Sequence, residues 1–185
     1  GLWLMIDGTI DGYGSYEEAV AAAPAEPLPN RVAGTDMLYS SGTTGRPKGV
    51  LPKFTPTPLD ERGTGVRGLL LLLFGMAEDK VYLSPAPLYH AAPLRFSMSS
   101  LAIGATVVVM PRFDPEVYLA NVERFRATHT QVVPTMFVRL LKLDPEVRAK
   151  YDVSSLETVI HAAAPCPVEV KRAMIEWWGP VIHEY

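Results

Sequence analysis

An α/β architecture, with a mostly parallel β-sheet flanked by helices, follows from three features of the sequence. From Val81 onward, short β-branched or aromatic runs alternate with amphipathic stretches of about ten residues. Gly, Pro or Asp punctuates the junctions where a strand hands over to a helix. Hydrophobic residues make up 48% of the chain against 20% charged, which is enough apolar side chain to cover both faces of one sheet.

Taken in order, Gly1 to Ile6 (GLWLMI) is a short apolar run suited to a buried strand, and a Gly-rich turn follows. Ser15 with Glu18 has the form of a capping box, so Tyr16 to Ala23 reads as a short helix. Pro24 to Asn30 holds three prolines and reads as an extended connector. Met37 to Ser40 begins a strand, Gly49 to Phe54 is a candidate return strand, and Thr55 to Pro58 (TPTP) breaks it. Leu59 to Met76 has the leucines of a buried helix, with Leu69 to Phe74 as its core run, while Gly63, Gly65 and Gly68 blur its start.

The regular alternation begins next. Val81 to Ser84 reads as a strand, Ala91 to Ile103 as a helix, and Ala105 to Met110 as a β-branched strand. Pro115 to Ala127 is a helix N-capped by Asp114, Thr130 to Val133 a strand, and Thr135 to Leu143 a helix capped by Thr135. An acidic, proline-bearing connection leads to a strand at Thr158 to His161, a helix at Pro167 to Trp178 and a strand at Val181 to Tyr185. Val170, Ala173, Met174 and Trp177 recur at helical spacing and mark a core-facing stripe.

Charge and cysteine usage exclude several function classes. A net charge of −3, a pI near 5.8 and 17 scattered Lys and Arg residues give no electrostatic footprint for nucleic acid. The single cysteine, Cys166, rules out an intramolecular disulfide and fits a reducing compartment, with the cytoplasm as the expectation. Leu69 to Phe74 is far short of the roughly 20 residues that span a bilayer, so no transmembrane segment is expected, nor a secretory leader. Residue 1 is Gly and Val181 to Tyr185 reads as a strand in mid-course, so the chain is expected to be part of a longer protein.

Asp36 to Val50 (DMLYSSGTTGRPKGV) carries the strongest chemical signal. Ser40, Ser41, Thr43 and Thr44 supply hydroxyl donors beside the backbone N–H groups, Gly42 and Gly45 allow close backbone approach, and Lys48 adds a positive charge. That combination is suited to an anion such as a phosphate. It is not the Walker arrangement, which needs Gly directly before the lysine and a hydroxyl directly after; here Lys48 lies between Pro47 and Gly49. A P-loop kinase or GTPase is therefore disfavoured.

Tyr39 to Val50 (YSSGTTGRPKGV) resembles the phosphate-loop signature of the adenylate-forming enzymes, the family of acyl-CoA synthetases, firefly luciferase and peptide-synthetase adenylation domains. Pro87 to His90 (PLYH) resembles the family's segment beside the acyl pocket. Gln131 to Leu141 (QVVPTMFVRLL) resembles its strand–Pro–helix element. Ala162 to Pro165 (AAAP) sits where members carry a small-residue turn, usually with glycines that Ala162 and Ala163 replace.

The resemblance implies a partial N-terminal AMP-binding domain over residues 1–185, with 36–185 as nucleotide- and acyl-binding core, 1–35 as a preceding segment, and the C-terminal lid domain absent. It implies ATP, Mg2+ and coenzyme A as co-substrates and cofactor, and a carboxylic acid, fatty or aromatic, as substrate. Ser40, Ser41, Gly42, Thr43, Thr44, Gly45 and Lys48 would bind ATP phosphates. Ala163, Ala164, Pro165, Glu184 and Tyr185 would form the adenine site, and His90 would belong to the acyl pocket. No catalytic or metal-binding residue is expected within the chain; Glu184 and Tyr185 would lead into the family's aromatic-Gly-x-Thr-Glu motif, whose Glu holds Mg2+, and the lid lysine lies further downstream in family members.

The remaining candidates have plainer readings. His129 reads as a partly exposed structural residue, while His161 and His183 end strands near the presumed nucleotide site. No pair of His or Cys has metal-ligand spacing. Cys166 lacks a partner base and reads as a small packed residue. The rival readings are a peptide-synthetase-type domain that loads a carrier protein and a non-catalytic nucleotide-binding module.

Overall fold

The computed structural model describes residues 1–27, 29, 31–34, 37–40, 48–51, 53, 56–58 and 65–185. The chain divides into two compact units, one formed by Gly1–Met37 with Leu51–Asp60 and the other by Leu38–Val50 with Glu61–Tyr185.

The first unit holds only short elements. β1 (Leu4–Met5) pairs in parallel with β2 (Gly14–Ser15), which leads directly into α1 (Tyr16–Ala21). The expected cap is present: Ser15 Oγ accepts from the Glu18 N–H at 3.2 Å. Glu17, rather than Glu18, completes the corner, accepting from Ser15 Oγ and from the Asp7 N–H, each at 3.1 Å. β3 (Val32–Ala33), just after the expected connector, pairs antiparallel with β6 (Thr57–Pro58), which lies in the segment that reads as a breaker in the sequence. The expectation of a buried strand over Gly1 to Ile6 fails, because Leu2 and Trp3 are exposed and only Leu4 and Met5 pair. An apolar run alone does not say whether a layer exists to cover it.

In the second unit, β4 (Leu38–Ser40) and β5 (Lys48–Val50) form an antiparallel pair with Ser40 opposite Lys48. Then follow α2 (Gly65–Leu73), β7 (Val81–Ser84), α3 (Ala91–Ile103), β8 (Thr106–Val109), α4 (Pro115–Phe125), β9 (His129–Val132), α5 (Pro134–Leu141), α6 (Pro145–Ala149), β10 (Thr158–His161), α7 (Val168–Trp178) and β11 (Ile182–Glu184). The last five strands form one parallel sheet in the order β11-β10-β9-β7-β8.

Alternation along the strands assigns each side chain to a face. Val81, Leu83, Val108, Val132, Val159 and Ile182 pack with Tyr118, Leu119 and Val122 of α4, Phe137 and Leu140 of α5, and Met174 and Trp178 of α7. Tyr82, Val107 and Ile160 pack on the other face with Leu70 of α2 and with Phe96 and Ile103 of α3. With both faces covered, the strands carry few exposed polar positions, as parallel sheets do.

Local chemistry sets the helix boundaries. Asp114 Oδ1 accepts from the N–H groups of Glu116 and Val117, each at 3.0 Å, and Pro115 occupies the first turn of α4, where its missing N–H costs nothing. Asp114→Ala is expected to lower stability by about 1 kcal/mol, read as a lower urea midpoint with an unchanged slope. α3 ends at Gly104 with φ +97°, and a Cβ there would meet Glu78 Cγ at 2.9 Å, so both conformation and space call for glycine.

Several expectations are corrected. α5 begins at Pro134 and is preceded by Val133, with no side-chain cap, so Thr135 is not its N-cap; a Pro at the first helical position serves instead. The acidic connection contains a short helix, α6, again opened by a proline. Leu72 and Leu73 are exposed, so only part of the Leu69–Phe74 run is core, led by Leu70. His129 is buried rather than partly exposed: its Nε2–H donates to the Phe74 carbonyl oxygen at 2.6 Å, and burial holds the imidazole below its ordinary pKa.

Candidate functional site

Because every pairing in the large sheet is parallel, the carboxyl ends of its strands lie along one edge. From β7 the chain passes through α3 to β8 on one side, then through α4 to β9 on the other side of β7. The direction of winding reverses between β7 and β9. The crevice outside the carboxyl ends of strands at such a point is where open α/β sheets bind ligands.

The segments that leave this edge carry most of the residues singled out in the sequence. β7 runs into Pro85–His90, β10 into Ala162–Pro165, and β11 ends at Glu184 with Tyr185 following. His90 precedes α3 in extended conformation and makes no side-chain cap bond; its exposed ring lies 4.6 Å from that of Tyr89. Its imidazole is thus not spent on the helix terminus.

In the Ala162–Pro165 turn, Ala162 is buried while Ala163, Ala164 and Pro165 are exposed. Ala163 has φ +75°, a left-handed conformation that costs a residue bearing Cβ on the order of 1–2 kcal/mol. Of the two alanines that stand in place of the usual glycines, Ala163 is the one whose backbone calls for glycine. Ala163→Gly is expected to stabilise the chain by about 0.5–1 kcal/mol, after the larger entropy of the unfolded glycine chain is set against the relieved strain. An unchanged or lower denaturation midpoint would contradict it.

Glu184 and Tyr185 are tied to three other elements. The Glu184 carboxylate accepts from Lys171 Nζ of α7, and this bond holds its pKa below the usual carboxylate range. The Tyr185 N–H donates to the His161 carbonyl oxygen at 3.4 Å, and its ring lies 6.1 Å from Phe96 of α3. Burial raises the Tyr185 phenol pKa, and the nearby Arg95 charge opposes that shift. His161 is fully buried at the end of β10, with its ring edge-on to Phe137 at 5.5 Å and its Nε2 3.9 Å from Glu184 Oε2.

The candidate anion-binding motif is described only at its ends. Ser40 and Lys48 face each other across β4 and β5, and the Lys48 side chain is exposed. Ser41, Gly42, Thr43, Thr44 and Gly45 lie outside the described residues. Among the described residues no group of three or more His, Cys, Asp or Glu can hold a metal ion. Cys166 is partly buried, packs against the α7 core, and has its thiol pKa pushed up by burial, which agrees with a packed residue and not a nucleophile.

Lys171, Arg95 and Phe96 were missed in the sequence. Each reaches the strand edge from a helix, and no short spacing connects Lys171 to Glu184 or Phe96 to Tyr185 before the sheet is assembled.

Comparison with known proteins places this arrangement. The family described as AMP-binding enzyme matches residues 6–185. The probable CoA ligase CCL5 of Humulus lupulus is 33% identical over 160 residues, covering 82% of this chain and 28% of that protein. The 4-hydroxybutyrate–CoA ligase 2 of Metallosphaera sedula is 32% identical over 176 residues, covering 92% of this chain and 30% of that protein. Among solved structures, the amide bond synthetase McbA from Marinactinospora thermotolerans superposes with a TM-score of 0.74 at 27% identity, covering 99% of this chain and 35% of that one. ATP-bound MatB from Rhodopseudomonas palustris gives a TM-score of 0.69 at 29% identity, covering 94% of this chain and 33% of that one. The chain thus spans about a third or less of the proteins it matches, and on the family match and these relatives it belongs to the AMP-binding enzyme family of adenylate-forming enzymes.

Proposed function

We propose that this chain is part of the N-terminal AMP-binding domain of an ATP-dependent, AMP-forming acid–thiol ligase, with residues 36–185 as its nucleotide- and acyl-binding core. The observation that carries the reading is the pairing of Ser40 with Lys48, which brings together the two ends of the motif SSGTTGRPK. In this reading Thr43, Thr44 and Lys48 hold the β- and γ-phosphates of ATP, and Ser40, Ser41, Gly42 and Gly45 shape the phosphate-binding loop. Ala163, Ala164, Pro165, Glu184 and Tyr185 line the adenine, and His90 stands at the acyl pocket.

The chemistry needs no protein nucleophile. A substrate carboxylate attacks the α-phosphorus, the bond to the β-phosphate oxygen breaks, and pyrophosphate leaves with its charge cradled by hydroxyls, backbone N–H groups and Lys48. The acyl-adenylate then passes its acyl group to the thiol of coenzyme A and releases AMP. That the relatives include CoA ligases supports coenzyme A as acceptor, and the apolar composition supports a fatty or aromatic acid. The setting is cytoplasmic.

The test is ATP–pyrophosphate exchange by the full-length protein across fatty, aromatic and amino acids. Exchange with fatty or aromatic acids is expected; exchange with amino acids alone would overturn the assignment in favour of peptide-synthetase-type chemistry. The isolated 185 residues are expected to support no exchange, which their own assay would test against the full-length protein.

A further inference from the structure

His161 is the most anomalous polar group at the site. Its side chain is fully buried, and neither Nδ1 nor Nε2 has a hydrogen-bond partner. An unpaired buried polar group costs about 1–3 kcal/mol, so a chain that keeps one at a ligand-facing edge has a use for it or satisfies it in another state. The surroundings show which. Phe137 of α5 closes one side of the ring. The charged groups that face it are Glu184 of β11, with Oε2 at 3.9 Å from Nε2, and Lys171 of α7, which binds that same carboxylate oxygen.

Glu184 therefore lies between two nitrogens and is bonded to one of them. A displacement of about 1 Å would bring its carboxylate within hydrogen-bond range of His161 Nε2. Glu184 is the last residue of β11, and its successor Tyr185 donates its N–H to the carbonyl oxygen of His161 itself. The backbone bond from Tyr185 to His161 and the Lys171–Glu184 pair hold the strand end beside the ring, so the gap between imidazole and carboxylate is the one link left unmade.

We propose that His161 is a positioning residue for the end of β11: its buried imidazole is the second anchor for the Glu184 carboxylate, and making that hydrogen bond sets Glu184 and Tyr185 in the position that lines the adenine. The inference rests on the nucleotide-site reading above. Desolvation and the Lys171 charge both lower the His161 pKa while Glu184 raises it, so the imidazole is held toward its neutral form, in which Nε2–H would be the donor to Glu184.

The experiment is an NMR titration of His161 in the full-length protein, with tautomer and midpoint read from labelled histidine. Glu184→Gln is expected to lower the His161 midpoint by about half a pH unit or more, and Lys171→Met to raise it by a similar amount. Opposite signs are a signature that mere loss of packing does not produce. Equal midpoints in wild type and both variants would overturn the proposal. Saturating AMP is expected to shift the wild-type chain to an Nε2–H tautomer with a downfield, hydrogen-bonded proton. AMP that binds, judged by movement of the Ala163 and Ala164 amide signals, without changing His161 would overturn the proposal and leave the nucleotide site standing. AMP that does not bind at all would overturn the site reading and with it the role of His161, even with the titration coupling intact.

Discussion

In the full-length protein, Lys48→Ala is expected to lower kcat/KM for ATP–pyrophosphate exchange about 100- to 1,000-fold, the loss typical of removing one preorganised charge-stabilising group. The effect is assigned to chemistry and not folding for a structural reason. Lys48 opens β5 with its side chain exposed, and its pairing with Ser40 is made by the backbone. Truncation to alanine keeps those backbone bonds and removes only the cation. Lys48→Arg should recover part of the rate, because it restores the charge but presents it on a planar fork instead of a compact point. The thermal midpoint of Lys48→Ala should match wild type within the range of surface substitutions, about 0.5 kcal/mol. A loss under about tenfold with an unchanged midpoint would remove Lys48 from the phosphate site and return the motif to an ordinary turn.

The parts of the fold that were legible in the sequence are those where one local rule dominates. Val81–Ser84 and Ala91–Ile103 were bounded as observed, because each ends on a Pro or Gly that cannot continue it. Asp114 was recognisable as a cap because a carboxylate followed by proline has few other uses. The failures have two causes. The buried strand expected at Gly1–Ile6 and the partly exposed His129 depended on what the segment would meet in space, and hydrophobic period carries no such information, whereas the cap assigned to Thr135 passed over a local signal, Pro134 at the first helical position. Among the proposed site residues, Ala163 to Pro165 could be placed by their turn, but Lys171 beside them could not. Its partner Glu184 is reached only after β11 has docked beside β10 and α7 has crossed back over the sheet.

Phe137 is a fully buried residue of that helical face, and Phe137→Ala is expected to destabilise the chain by about 3–5 kcal/mol. Its ring lies 5.5 Å from His161 and 6.0 Å from Trp178, in edge-on geometry to both. Trp178 in turn stacks on Tyr118 at 6.2 Å, so one side chain of α5 joins the ends of β10, α7 and α4. Truncation leaves a cavity between elements that the sheet holds apart, with little freedom to collapse, which places the cost toward the upper end of the range. A loss of that size rivals the whole stability of many domains, so the urea midpoint should fall by a large fraction with the slope preserved. Leu72→Ala, on the exposed side of α2, should move it by no more than about 0.5 kcal/mol. If the two substitutions cost the same, α5 and α7 do not form the rigid floor beneath His161, and the support inferred for Glu184 and Tyr185 fails together with the packing that was to supply it.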